Sequence, residues 1–339
     1  MNIHQWKGQI RRFNDEFGKH SDIREQWNKH TEANIHRFNK DNSIWNLEFK
    51  YYEEKEKAMI LVGASPCLQK DVEKLKQVDD NFCIVCANSS LKFLLNHDIV
   101  PDYCICLDSD DIDIPQHLDV DTDQVTLLAS TAMCGEALDN WKGPIYYMPY
   151  YSVDKPLRQK IRSRLGKGVP GGGNSMTQGF YLVSIIFASR TVIFVANEYC
   201  FDSRKDYYAD KDAAKQEKMK ILYPAVDVLG RKKWTLPALY NYVIWQEKAC
   251  SDLSPPGFFI DTSFGLLGKD CQDIHLMDLS EAIEKVKDAF MKRDILNAKK
   301  SEKSRLKYIE EISADDKRSD VYRYDMLEQR ERMLQLAKS

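Results

Sequence analysis

Between residues 58 and 196 the chain repeats one pattern: a run of five or six residues apolar at nearly every position, a turn, then a helical stretch. The runs 58–62 (AMILV), 82–87 (FCIVCA), 103–107 (YCICL), 125–129 (VTLLA) and 191–196 (TVIFVA) show no polar–apolar alternation. As strands they must therefore be buried on both faces. Residues 71–78, 90–95 and 175–188 read as helices between them. Strand and helix in alternation predict an α/β fold, a Rossmann-like, mostly parallel sheet with helices on both faces. Ligands of such sheets sit beyond the carboxyl ends of the strands, so function is sought in the residues that follow each run.

The flanks have a different texture. Residues 1–56 are polar and charged, with Trp6, Ile10, Phe13, Phe17, Ile23 and Trp27 at helical intervals. Residues 276–339 contain no Gly or Pro and are dense in Lys, Glu, Asp and Arg. The expected organisation is a helical N-terminal extension (1–56), a Rossmann-like core (57–275) and a charged helical C-terminal extension (276–339). Hydrophobic residues make up 43% of the 339, enough to fill a core, which excludes a disordered chain. A net charge of −3 offers no global attraction for nucleic acid. The longest apolar run, 181–188, is less than half of the ~20 residues that a bilayer demands, and the N-terminus turns charged at once, without a secretory apolar stretch. Nine cysteines, an odd number lying mostly in apolar runs, suit a reducing compartment. The expectation is a cytoplasmic protein that engages neither nucleic acid nor membrane.

Four strand-end segments carry the chemistry. After the first run, Gly63, Ser65 and Pro66 form a turn in which Ser65 could cap the next helix or the turn could receive a phosphate. After the second come Asn88 and Ser89; the amide suits a nucleobase edge or ribose, or else a helix cap. The third ends in Asp108, with Asp110 and Asp111 close behind. Clustered carboxylates stay solvated or share a cation such as Mg²⁺ with substrate phosphates. Finally Gly172, Gly173, Asn174 and Ser175 lead into an apolar helix, either as an anion-binding nest or as a hinge. Cys83 and Cys86 invite a zinc reading, but residues three apart in a strand point to opposite faces, which makes them core thiols. No histidine lies between His117 and His275, so most of the expected site lacks a local imidazole base.

Taken in order, the segments 58–68, 88–95, 100–108, 171–201, 235–240 and 259–265 resemble the motifs of the domain of unknown function 115 superfamily. That superfamily includes the motility accessory factors that glycosylate flagellin and an archaeal 6-hydroxymethylpterin diphosphokinase. Its core is similar to that of bacterial sialyltransferases that use CMP-sugars. The resemblance covers roughly residues 35–285 and implies a nucleotide cradle. It would place Gly63, Ser65 and Pro66 near ribose or phosphate, Asn88, Ser89 and Asp108 around the nucleoside, and Gly172 to Ser175 against phosphate or donor sugar. The sequence departs from the family pattern at Ala64, where a glycine is usual, and at Ala196-Asn197-Glu198, where the family has Gly-Gln-Asp. Glycosylating relatives often carry a histidine soon after that strand, but residues 202–210 hold none.

Three functions follow from the resemblance. In the first, a glycosyltransferase moves a nonulosonic sugar from a CMP-activated donor to a protein or glycan hydroxyl, with Glu198 or Asp206 as the base and Asp108 assisting. In the second, pyrophosphoryl transfer from ATP to a pterin-like alcohol uses Mg²⁺ held by Asp108, Asp110 and Asp111. The third is a nucleotide-binding or scaffold protein without turnover, with helical extensions that pack on a partner or on a second copy.

Overall fold

The computed structural model describes residues 21–47, 57–109, 118–149, 153–169, 173–202, 209, 222–253 and 257–292. Eight strands form one sheet: β1 (Ala58–Val62), β2 (Phe82–Ala87), β3 (Tyr103–Cys106), β4 (Thr126–Ser130), β5 (Ile145–Met148), β6 (Thr191–Val195), β9 (Phe258–Asp261) and β10 (Ile274–Leu276). Two more, β7 (Tyr223–Val226) and β8 (Lys232–Thr235), pair as a separate antiparallel ribbon. The helices are α1 (Ser21–Asn34), the short α2 (Leu68–Asp71), α3 (Asn88–Leu95), α4 (Gly135–Asn140), α5 (Lys155–Leu165), α6 (Ser175–Tyr181), α7 (Pro237–Leu253) and α8 (Leu279–Lys292). The large sheet runs in the order β10-β9-β6-β1-β2-β3-β4-β5 and every pairing in it is parallel.

The α/β expectation is met, and the period of two along each strand explains how. Ala58, Ile60, Val62, Ile84, Cys86, Cys104 and Cys106 enter one buried cluster, with Leu91 and Leu94 of α3, Ile161 of α5 and Ile283 of α8. Met59, Leu61, Cys83, Val85, Tyr103 and Ile105 enter the other, with Phe180 of α6 and Val243 and Cys250 of α7. Each strand thus contributes alternate side chains to two helix-covered faces, which is why its sequence is apolar throughout. Cys83 and Cys86 fall in different clusters, and all nine cysteines are unbonded. Among the described residues no group of three or more His, Cys, Asp or Glu is arranged to hold a metal, and no helix is long and apolar enough to cross a membrane.

Both flanks also contribute to the core. Residues 42–44 pair alongside β5, where Ile44 N–H donates to Tyr147 O (3.0 Å) and Tyr147 N–H to Asn42 O (2.7 Å). That contact covers an edge that would otherwise expose unpaired backbone, and Ile44 and Leu47 are buried beside it. In α8, Leu279, Ala282, Ile283 and Val286 follow the i, i+3, i+4, i+7 spacing and are all buried. Trp6, Ile10, Phe13, Phe17 and residues 293–339 lie outside the described residues. The helix expected over 175–188 is α6 followed by a π turn at Leu182–Ile186, which ends against β6.

Candidate functional site

From β1 the chain moves outward through β2, β3, β4 and β5, then returns to place β6 on the other side of β1. The connections after β1 and β6 therefore leave in opposite directions. Between the carboxyl ends of these two strands lies the crevice in which doubly wound sheets hold ligands.

The crevice floor is backbone held to backbone. Gly63 N–H donates to Val195 O (2.8 Å) and Ser65 N–H to Ala196 O (3.2 Å), so the turn after β1 stays joined to the end of β6. A Cβ at Gly63 would lie 2.3 Å from Ala196 O, a contact that only glycine avoids. The capping role expected for Ser65 is not what forms. Cys67 is the N-cap of α2, without a side-chain cap, and Ser65 Oγ instead accepts the Glu198 N–H (3.3 Å).

Glu198 is clamped on every side. Its carbonyl accepts the Leu266 N–H (2.8 Å), and its Oε2 accepts the Cys67 N–H (3.4 Å). A Cβ at Gly265 would lie 2.3 Å from Glu198 Cα, so the loop after β9 presses directly on it. Glu198 is buried, and burial pushes its carboxyl above the usual range against the opposing pull of the Cys67 contacts and the Lys233 charge. A carboxyl raised toward neutrality and fixed at a crevice is matched to general base chemistry.

Asp261, at the end of β9, is fully buried. Its Oδ2 accepts the Phe264 N–H (3.0 Å), while Oδ1 has no hydrogen-bond partner. Burial pushes its carboxyl up to about 7, with the Glu198 charge adding to the rise and hydrogen bonds from Ser263 and Phe264 opposing it. Around these acids Ala196 (φ 55), Tyr199 (φ 54) and Phe264 (φ 54) all take left-handed backbone without being glycine. Asn197 braces the turn: its N–H donates to Ser263 Oγ (2.8 Å) and its Nδ2 to Leu61 O (2.9 Å) and Val195 O (3.0 Å).

Two further elements close on the crevice. Asn174 caps α6, with Oδ1 accepting the Thr177 N–H (2.8 Å) in a reciprocal capping box, and its side chain also bonds the Tyr199 hydroxyl. Gly173 lies against the ring of Tyr242 on α7. The β7–β8 ribbon is tied down by Thr235 Oγ1 donating to Tyr199 O (2.7 Å) and by two 2.9 Å backbone bonds between Phe201 and Trp234.

The structure thus gathers Gly63, Ser65, Glu198 and, through Tyr199, Asn174. Pro66 is half-buried in the same turn, and Ser175 is the first residue of α6. Asn88 opens α3 directly after β2. It is buried, and no described group hydrogen-bonds its side-chain amide; Ser89 beside it is half-buried. Asp108 is exposed beyond the end of β3, two strands from β1 and so ~10 Å along the sheet edge. Asp110, Asp111, Gly172 and Asp206 lie outside the described residues. Sequence reasoning missed Asp261 and Lys233 as members of the site. For Lys233 a signal existed, since in Lys232-Lys233-Trp234-Thr235 strand alternation sends one lysine inward.

A profile of the family described as 6-hydroxymethylpterin diphosphokinase MptE-like matches residues 29–203, a span that takes in β1 to β6 and their connecting loops. No curated protein matches the chain. Among solved structures, the MAf glycosyltransferase from Magnetospirillum magneticum AMB-1 is similar at 14% identity and a TM-score of 0.49, over 82% of this chain and 45% of that one. This chain therefore spans less than half the length of that protein.

Proposed function

Because this chain belongs to the 6-hydroxymethylpterin diphosphokinase MptE-like family, we propose that it is a transferase that moves an activated group from a nucleotide to a hydroxyl, most simply a sugar from a CMP-activated donor to a protein or glycan. The observation that carries this reading is Glu198, a buried carboxyl raised in pKa and clamped at the switch point between β1 and β6. A base in that place takes over the role that a histidine would otherwise fill.

In the proposed reaction the acceptor oxygen forms a bond to the anomeric carbon of the donor. The bond from that carbon to the phosphate oxygen breaks, its electron pair leaves with the nucleotide, and the acceptor proton passes to the Glu198 carboxylate. The Gly63–Ser65 turn and the start of α6 flank the phosphate, and Asn88 offers a donor and an acceptor to base or ribose. Asp108, exposed beyond the end of β3, is assigned to the nucleoside in this reading.

The family's own description favours a second reading, pyrophosphoryl transfer from ATP to a pterin-like alcohol. Glu198 serves there in the same capacity. Of the three carboxylates expected to hold Mg²⁺, Asp108 lies among the described residues.

A thermal-shift panel of CMP, CDP, ATP and GTP, each with Mg²⁺ or EDTA, tests the readings. A metal-independent shift with CMP is expected. A shift confined to ATP with Mg²⁺ would move the assignment to the diphosphokinase, and no shift with any nucleotide would leave a scaffold.

A further inference from the structure

The crevice contains a buried cation that the proposed reaction has not yet used. Lys233 lies on β8 with its side chain 5% exposed, and its Nζ is 2.8 Å from Asp202 Oδ1. Asp202, by contrast, is 73% exposed. A largely solvated carboxylate compensates a desolvated ammonium poorly, since water competes for the carboxylate and screens the pair. A lysine in this ribbon with only a structural task would gain by reaching solvent, as its neighbour Lys232 does. Instead Lys233 points inward alongside Thr235, whose Oγ1 bonds Tyr199 O, and its charge acts on both Glu198 and Cys200. Arg231, just before β8, is already committed to Asp227 through a 2.6 Å bond from Nε to Oδ2.

We infer that Lys233 is the phosphate-binding cation of the crevice, and that Asp202 is a counter-ion which swings out to water when the phosphate of a nucleotide takes its place. The inference rests on the transferase reading and names the group that meets the leaving phosphate. As the carbon–oxygen bond breaks, the electron pair left on the phosphate gives it a further negative charge, and a desolvated ammonium beside it stabilises that charge more strongly than water does. Asp202 keeps the lysine paired while the crevice is empty. Its exposure makes it the partner that can leave at little cost.

The test is equilibrium binding to the full chain by titration calorimetry, with two nucleoside pairs (cytidine and CMP, adenosine and ATP) and with inorganic pyrophosphate. Lys233→Met should weaken the bound nucleotide and pyrophosphate by about tenfold or more, the loss of roughly 1.4 kcal/mol of attraction, and leave the parent nucleoside unchanged. Asp202→Asn should tighten both anions by about two- to fivefold, the range of an exposed ion pair removed from competition. Lys233→Arg, which keeps the charge, should stay near wild type. Equal nucleotide affinity in wild type and Lys233→Met overturns the inference, as does a matching loss of nucleoside binding, which would mark Lys233 as structural. If the wild type binds pyrophosphate through Lys233 but no nucleoside or nucleotide, the transferase reading fails while the anion site stands. If it binds none of the probes, both fail.

Discussion

A carboxyl as deeply buried as Asp261 makes the stability of this fold depend on pH, in a direction that can be worked out beforehand. Its folded pKa is about 7, against 3.8 for the ordinary side chain. Below pH ~4 both folded and unfolded chains hold the proton. As the pH rises toward 7 the unfolded chain releases it while the folded chain keeps it, so folding is progressively disfavoured at about 1.4 kcal/mol per pH unit. Above 7 both states are ionised and the loss stops. The whole interval amounts to ~4 kcal/mol, of which about two pH units, or ~2.7 kcal/mol, fall between pH 5 and pH 8. With unfolding entropy near 2.1 cal/mol/K per residue, a chain of this length loses roughly 4 °C of melting temperature over that window from this group alone. Asp261→Asn keeps the shape and the acceptor for Phe264 N–H but cannot ionise. The experiment is thermal melting of both proteins from pH 5 to pH 8. The wild type should lose about 4 °C more than the variant, and subtraction removes contributions common to both, such as Glu247, whose pKa burial also raises. Parallel curves would show that Asp261 is already ionised at pH 5 and would refute the account of its burial. The Asp261 charge also acts on Cys67 and Tyr199, but burial holds both of those groups protonated across this window, so they add nothing to the difference.

Three other outcomes follow from the same geometry. Glu198→Gln should retain the nucleotide-induced thermal shift but lose about 10²- to 10⁴-fold in transfer rate, the usual contribution of a positioned base, as read by product formation at saturating donor. Gly63→Ala drives a Cβ to 2.3 Å from Ala196 O and should destabilise by about 1–3 kcal/mol, read as a lower denaturant midpoint; an unchanged midpoint would mean that the β1 and β6 ends separate easily. Asp108→Ala should abolish the nucleotide shift, and an unaltered shift would remove Asp108 from the site.

How far the sequence could be read depended on whether a residue's role was local. β1, β2, β3, β4 and β6 were legible because a strand buried on both faces is apolar at nearly every position, a pattern few other environments demand. β5 was not, because its outer residues Ile145 and Tyr146 are only half-buried at the sheet edge and blur the signal. The β7–β8 ribbon is mostly exposed and carries Pro224 and three basic residues from Arg231 to Lys233, which resembles a loop until the pairing is seen. Position after a strand led to Gly63 and Ser65, whose turn the sheet joins to the end of β6 whatever the side chains do, whereas Glu198 was reached only through the family resemblance. The partners were hidden: nothing local in Ser65 says that it accepts Glu198 N–H rather than capping α2, because that contact joins residues 133 positions apart. The burial of Asp261 was hidden for the same reason, since an acid at the end of an apolar run is more often a solvated strand terminus.

Several unfavourable features of the molecule fall on the same few residues. Left-handed backbone at Ala196, Tyr199 and Phe264, each of order 1–2 kcal/mol, surrounds two buried acids and two buried oxygens without partners, Asn197 Oδ1 and Asp261 Oδ1. A fold selected only for stability would place glycine at those three positions and an apolar residue at 261. Instead the strain is stitched in place, by Asn197 to Ser263, by Phe264 to Asp261 and by Leu266 to Glu198, so that the loops after β6 and β9 cannot relax independently. What that stitching fixes is the backbone of Glu198, held at its N–H, its carbonyl and its Cα. Rigidity bought at this cost matters only where a carboxylate must meet another group within a fraction of an ångström, since a 1 Å misplacement can cost ~10²-fold in rate. The strain in these two loops therefore bears on the same residue as the topology and the raised pKa.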